Sequence, residues 1–160
     1  MAASLRIAVV GLGRWGPAQV RSFGEAPGAR LVAVADPDPV RLRARCPPDA
    51  APVAGLDALL QRTDVDAVVL ATPSATHAQL ATRVLCSGRH VLVEKPLSLD
   101  VGEAERLVRC AAGRSEVAVM AHLLEHHAAI AALASRVEDG AIGDVIRVEA
   151  RRHATRVTRD

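Results

Sequence analysis

Aromatic side chains are nearly absent: 160 residues hold one tryptophan, Trp15, one phenylalanine, Phe23, and no tyrosine. That excludes a surface that grips single-stranded nucleic acid by stacking bases on rings. Lysine is as scarce. Among 20 basic residues Lys95 is the only lysine, and the others are arginine. The formal net charge of +2 is too small to mark a polyanion partner. Arg147, Arg151, Arg152, Arg156 and Arg159 crowd the last stretch. With neither rings nor a nucleic-acid motif beside them, they read as a solvated face, and no nucleic-acid partner is expected. Cys46, Cys86 and Cys110 stand far apart with no C-x-x-C spacing, which reads as small buried apolar side chains. No uninterrupted apolar run approaches ~18 residues, so no membrane span is expected. Arg6 interrupts any charged-then-apolar leader. The expectation is a reduced, cytoplasmic enzyme or binding domain.

What is present is ordinary globular composition, 50% hydrophobic and 24% charged, which excludes collagen-like, low-complexity and disordered chains. Five short apolar runs recur, at residues 7–11, 31–35, 67–71, 91–93 and 117–121. They are continuous rather than alternating, as strands buried on both faces are. Helix-like segments lie between them, at 14–26, 38–45, 56–63, 75–87 and 100–113. Asp100-x-x-Glu103 has the form of a capping box, and Gly88 sits where a helix would stop. A further short strand is expected near Pro52-Val53. This alternation predicts an α/β fold with a doubly wound parallel sheet. After residue 121 the pattern changes. Residues 123–139 read as one alanine-rich helix, with Ile130, Leu133 and Val137 at helical spacing. Residues 145–152 then alternate like a half-solvated strand of an antiparallel sheet. Such a strand has no partner in this chain, so it is expected to begin a second α+β layer or to pair with another copy.

Gly11-Leu-Gly13-Arg14-Trp15-Gly16 matches G-x-G-x-x-G after a strand and before a helix, with Asp36 twenty residues past Gly16. Gly11 would make the tight turn, Gly13 would admit a pyrophosphate close to the backbone, and Gly16 would let helix and strand pack closely. The helix N-terminus would face the phosphates. Asp36 would accept ribose hydroxyls and repel a 2′-phosphate, favouring NAD. Arg41 nearby could soften that preference, leaving NADP as the alternative. Ala71-Thr72-Pro73-Ser74 ends a strand and leads into a helix carrying His77. Ligands bind at such strand ends, yet Ser74 as an ordinary cap and His77 as a surface residue fit the spacing equally well. Glu94-Lys95-Pro96 also follows a strand. Its lysine could hydrogen-bond a substrate hydroxyl and relay its proton, or form a solvated pair with Glu94. His122-Leu-Leu-Glu125-His126 has the letters of a zinc-protease motif. It starts at a strand end without a further acidic ligand, so no metal is expected.

Together these motifs resemble the N-terminal half of Gfo/Idh/MocA oxidoreductases. The resemblance covers nearly the whole chain, and the Glu94-Lys95-Pro96 step is its most specific part. It implies a Rossmann domain over residues 1–121 that binds NAD or NADP. Residues 122–160 would begin a truncated C-terminal domain for substrate binding and dimerisation. The resemblance also implies that Lys95 contacts the substrate hydroxyl as the catalytic residue. Thr72, Pro73, His77 and Glu94 would line the nicotinamide end, and Gly11, Gly13, Arg14, Trp15, Gly16 and Asp36 would hold the rest of the coenzyme. The segment from Ala121 to Ile146 is similar to members acting on sugars, including nucleotide-sugar dehydrogenases. The implied function is hydride transfer between a nicotinamide coenzyme and a sugar-like hydroxyl or ketone. The alternative is a non-catalytic dinucleotide-binding or assembly fragment whose last strand docks on a partner or a second copy.

Overall fold

The computed structural model describes residues 4–151. The chain divides after Ala121 into two units. In the first, β1 (Leu5–Val10), β2 (Ala29–Ala35), β3 (Ala51–Val53), β4 (Ala67–Leu70), β5 (His90–Val93) and β6 (Ala118–Met120) form one sheet. Its order is β3-β2-β1-β4-β5-β6, and every neighbouring pair is parallel. The direction of winding reverses between β1 and β4. In open α/β sheets that reversal opens a crevice beyond the strands' carboxyl ends.

Parallel neighbours need crossovers, and these are the helices α1 (Gly16–Glu25), α2 (Pro39–Arg45), α3 (Leu56–Leu60), α4 (His77–Cys86) and α5 (Val101–Ala111). The continuous apolar runs have the cause expected of them, since alternate residues serve opposite faces. Ala8, Val10, Val68, Leu70, Val91 and Val93 pack with Ala81, Val84 and Leu85 of α4 and Leu107 of α5. Ile7, Val9, Leu31, Val34 and Val69 pack with Leu12 and with Val20 of α1. Each fully buried valine or leucine contributes roughly 1.5–3 kcal/mol. The Asp100 carboxylate caps α5 by accepting the Glu103 N–H at 2.8 Å. The return arm of the box is relayed. The Ser98 hydroxyl donates to the Glu103 carboxylate at 2.8 Å and accepts the Asp100 N–H at 3.1 Å.

Two expectations for the second unit are corrected. The single helix over 123–139 is broken into a 3-10 turn, Leu123–His126, and α6, Ala128–Glu138. His127 between them is extended, and its ring accepts the Ala129 N–H at 3.3 Å, capping α6. The alternating segment from 145 forms no strand through residue 151, and Ile146 is 97% exposed. Alternation favours a strand only where a neighbour completes its hydrogen bonds, and none does so among the described residues. Arg152, Arg156 and Arg159 lie outside the described residues. The cysteines also depart from expectation: Cys86 is exposed, and Cys46 and Cys110 are only half-buried.

Candidate functional site

One row of residues runs across the sheet at its carboxyl edge. Val53 pairs with Ala35, Ala35 with Val10, Val10 with Leu70, Leu70 with Val93, and Val93 with Met120. The next residue of each strand is therefore Ala54, Asp36, Gly11, Ala71, Glu94 and Ala121. The motifs at Gly11, Asp36, Ala71 and Glu94 start one step past this row, although 83 residues of chain separate the first from the last. A cleft of about 790 Å³ opens there, walled by the glycine turn, Asp36, Arg41, the Ala71–Pro73 loop and Gly55 with the start of α3.

The three motif glycines have different causes. Gly11 has φ +92°, and a Cβ there would lie 2.6 Å from the Ala71 carbonyl oxygen. A Cβ on Gly16 would collide with the Gly11 carbonyl. Folding alone therefore demands glycine at these two positions. At Gly13 it does not: φ is unexceptional and nothing lies within 4 Å of a built Cβ. That open space borders the cleft, beside the start of α1, which has no side-chain cap. Pro17 has no N–H and the Ala18 N–H bonds the Trp15 carbonyl at 3.0 Å, so it is chiefly the positive end of the helix dipole that suits a phosphate there. This cradle, which a side chain would fill, fits the pyrophosphate of a dinucleotide.

Asp36 closes β2 and is 3% exposed. One oxygen accepts the Leu12 N–H at 2.7 Å and the other the Asp38 N–H at 2.8 Å. The Arg41 Nε lies 3.3 Å from Asp36 and 3.1 Å from Asp38. The Val40 N–H is the chief cause holding Asp38 below the ordinary carboxylate range, and Arg41 adds to it. A carboxylate has about four acceptor positions, so Asp36 keeps capacity for ribose hydroxyls while it fixes the glycine turn. Sequence reasoning missed Arg45, whose guanidinium donates to the Leu12 carbonyl and, at 2.7 Å, to that of Gly13. Nothing local signals this contact, because it spans 32 residues. Trp15 is 46% exposed on the cleft wall, with the Arg14 guanidinium carbon 5.8 Å from its ring centre. Farther along the cleft, Leu56, Ala58 and Leu80 supply apolar wall beside the Arg83–Asp57 ion pair. A slot with these walls suits a flat heterocycle.

Thr72 and Pro73 line the cleft. The Thr76 hydroxyl lies 2.8 Å from the Thr72 hydroxyl and 2.7 Å from the Pro73 carbonyl, which stiffens the loop. His77 is neither on the surface nor on the cleft wall; it is 1% exposed. Its Nδ1 lies 2.6 Å from the Pro96 carbonyl and its Nε2 2.9 Å from the Thr72 carbonyl. It therefore ties the loop after β4 to the loop after β5. Glu94 is buried and accepts a hydrogen bond from Gln19 of α1, another partner the sequence did not disclose. Lys95 is exposed on the same loop. His122 and Glu125 approach to 3.1 Å in the second unit. No group of three histidine, cysteine or acidic residues converges as a metal site among the described residues.

Sheet order, glycine turn and cleft together define a dinucleotide-binding Rossmann domain. Residues 5–122 match the oxidoreductase family with an NAD-binding Rossmann fold, GFO_IDH_MocA, and the chain belongs to that family. It is similar to dTDP-3,4-didehydro-2,6-dideoxy-alpha-D-glucose 3-reductase of Streptomyces violaceoruber, with 40% identity over 89% of this chain and 42% of that protein. Among solved structures it resembles a 3-ketoreductase from Actinomadura kijaniata in complex with TDP-benzene and NADP. The TM-score is 0.80 and the identity 30%, over 89% of this chain and 46% of that one. It also resembles scyllo-inositol dehydrogenase from Lactobacillus casei with bound NAD(H) and scyllo-inositol. Here the TM-score is 0.81 and the identity 28%, over 88% of this chain and 43% of that one. The chain spans about two fifths of the length of the curated relative it matches, 42%.

Proposed function

We propose that this chain is the coenzyme-binding half of an oxidoreductase acting on a sugar or nucleotide-sugar hydroxyl or ketone, with NAD favoured over NADP. The observation that carries the reading is the space beside Gly13 at the uncapped start of α1, with the Asp36 carboxylate across the same cleft. When bound, the nicotinamide supplies hydride acceptance or donation. The protein's own residues bind, orient and move a proton. Gly11, Gly13 and Gly16 with Arg14 and Trp15 hold the pyrophosphate and its flank. Asp36 takes the ribose hydroxyls, and Arg41 beside it offers a 2′-phosphate a counter-charge, so NADP is the weaker alternative. Thr72, Pro73 and Glu94 face the nicotinamide end, with His77 fixing the two loops from beneath. The Lys95 ammonium hydrogen-bonds the substrate oxygen and exchanges its proton as the carbon gains or loses hydride. The two similar ligand complexes, one with a TDP group and one with an inositol, support a polyhydroxylated substrate.

Residues 122–160 begin a substrate and dimerisation domain in this reading, in a cytoplasmic homo-oligomer. Calorimetric titration of the chain with NADH and NADPH tests the coenzyme half. Tighter binding of NADH is expected, and indifference to both refutes it. Turnover is then sought with inositols, free sugars and dTDP-sugars, against Lys95→Ala as background. Turnover by these 160 residues is expected to be weak or absent, and any that occurs is expected to be lost in Lys95→Ala. Turnover undiminished in Lys95→Ala removes Lys95 from the chemistry.

A further inference from the structure

We propose that Cys86 and Cys110 form a reversible dithiol–disulfide site, a modification site for low-molecular-weight disulfides on the α4–α5 layer. Cys86 is the last residue of α4, and Cys110 is the penultimate residue of α5. They are 24 residues apart in the chain, yet their sulfurs lie 4.0 Å apart. That is contact between two reduced sulfurs. A disulfide bond is about 2.05 Å long, so side-chain rotation with a small helix shift must close the gap. The two helices pack on one another, which keeps the partners in register.

Arg114 makes the pair more than a coincidence of spacing. Its Nε donates to the Cys110 carbonyl at 2.7 Å and its Nη1 to the Leu85 carbonyl at 3.3 Å. These bonds anchor the guanidinium across the carboxyl ends of both helices. Its Nη2 then stands 3.6 Å from the Cys86 sulfur. The thiolate is the form that attacks disulfides, and this contact holds the Cys86 sulfur at the guanidinium that spans both helix ends. Cys86 is also exposed, so a small disulfide can reach it. Cys46 is the internal contrast. Burial pushes its thiol up, and the sulfur donates to the Pro47 and Ala50 carbonyls at 3.4 and 3.2 Å.

The chemistry balances with glutathione disulfide as the oxidant. The Cys86 thiolate attacks one of its sulfurs, forming a mixed disulfide and releasing one glutathione thiolate. The Cys110 thiol gives up its proton and attacks the Cys86 sulfur, forming the internal bond and releasing the second glutathione. Two thiols are oxidised and one disulfide is reduced to two thiols. Both cysteines sit at the helix ends remote from His77 and Asp100, which open α4 and follow the Lys95 loop. The cross-link therefore leaves the cleft open.

The test exposes the 160-residue chain to glutathione disulfide, blocks remaining thiols by alkylation, and counts and maps them by mass spectrometry. Free thiols are expected to fall from three to one, Cys46, with a Cys86–Cys110 linkage, a monomeric mass, and full recovery on reduction. Cys110→Ser should stop at the mixed disulfide on Cys86, and Arg114→Gln should slow its formation several-fold. NADH affinity should be the same in both redox forms. A mixed disulfide persisting in the unaltered chain, a linkage between chains, reaction at Cys46, or three thiols unchanged would each overturn the proposal.

Discussion

The Asp36 carboxylate accepts the main-chain N–H of Leu12 at 2.7 Å, so the residue that would read the ribose also holds the glycine turn in shape. The acidic residue at the end of β2 is thus structural, and in the proposed function it also meets the ribose. Asp36→Ala is expected to weaken NAD binding by about 1–3 kcal/mol through the lost charge-assisted bonds. Titration of the variant with NADH measures this, and unchanged affinity would remove Asp36 from the site.

Arg41 lies between Asp36 and Asp38, and in the proposed function it is the cation that meets a 2′-phosphate. Arg41→Ala should cost NADPH more affinity than NADH, widening the preference for NADH. The ratio of the two dissociation constants is the readout. A ratio that is unchanged or moves the other way contradicts this role.

His77 joins two loops through its two ring nitrogens. His77→Ala removes the ring that bridges the Pro96 and Thr72 carbonyls and opens a cavity beneath the site, at a cost of about 2–4 kcal/mol. Urea denaturation measures it. A change below about 0.5 kcal/mol, the level of an ordinary surface substitution, would show that the bridge carries no weight.

At the opposite end of the sheet the Arg6 side chain, and then its main-chain N–H, hold Asp66 at about 2, below its ordinary 3.8. A depressed carboxylate stabilises the fold fully above its unfolded value. That contribution is lost as pH falls from 3.8 through about 2. Solvent reaches both side chains, 41% and 33% exposed, so the contribution is discounted to about 1 kcal/mol. Asp66→Asn should be less stable than the parent at pH 6, with the difference shrinking toward pH 2. A difference independent of pH would contradict the pairing.

The sheet was largely legible in the chain because a strand buried on both faces must be apolar at every position, as at Val68–Leu70. The motif glycines were legible because Gly11 and Gly16 meet backbone that no side chain could share. What was hidden depends on partners far along the chain. Arg45 on Gly13, Gln19 on Glu94, and Cys86 against Cys110 are each created by packing. His77 fitted a surface position by spacing and the nicotinamide end by the family resemblance, and only the approach of the β5 loop buries it. The break at His127 and the lack of a strand over residues 145–151 have the same origin, because a local pattern specifies an element only when something caps or pairs with it.

Trp15 is the only tryptophan in the chain and stands on the cleft wall, so its fluorescence reports directly on the proposed dinucleotide site. Titration with NADH should give a saturable change in that emission. Gly13→Val should abolish the change without lowering the melting temperature, since a Cβ there has no neighbour within 4 Å. No change with the parent chain, or equal binding by the folded Gly13→Val variant, would show that no dinucleotide lies across the turn.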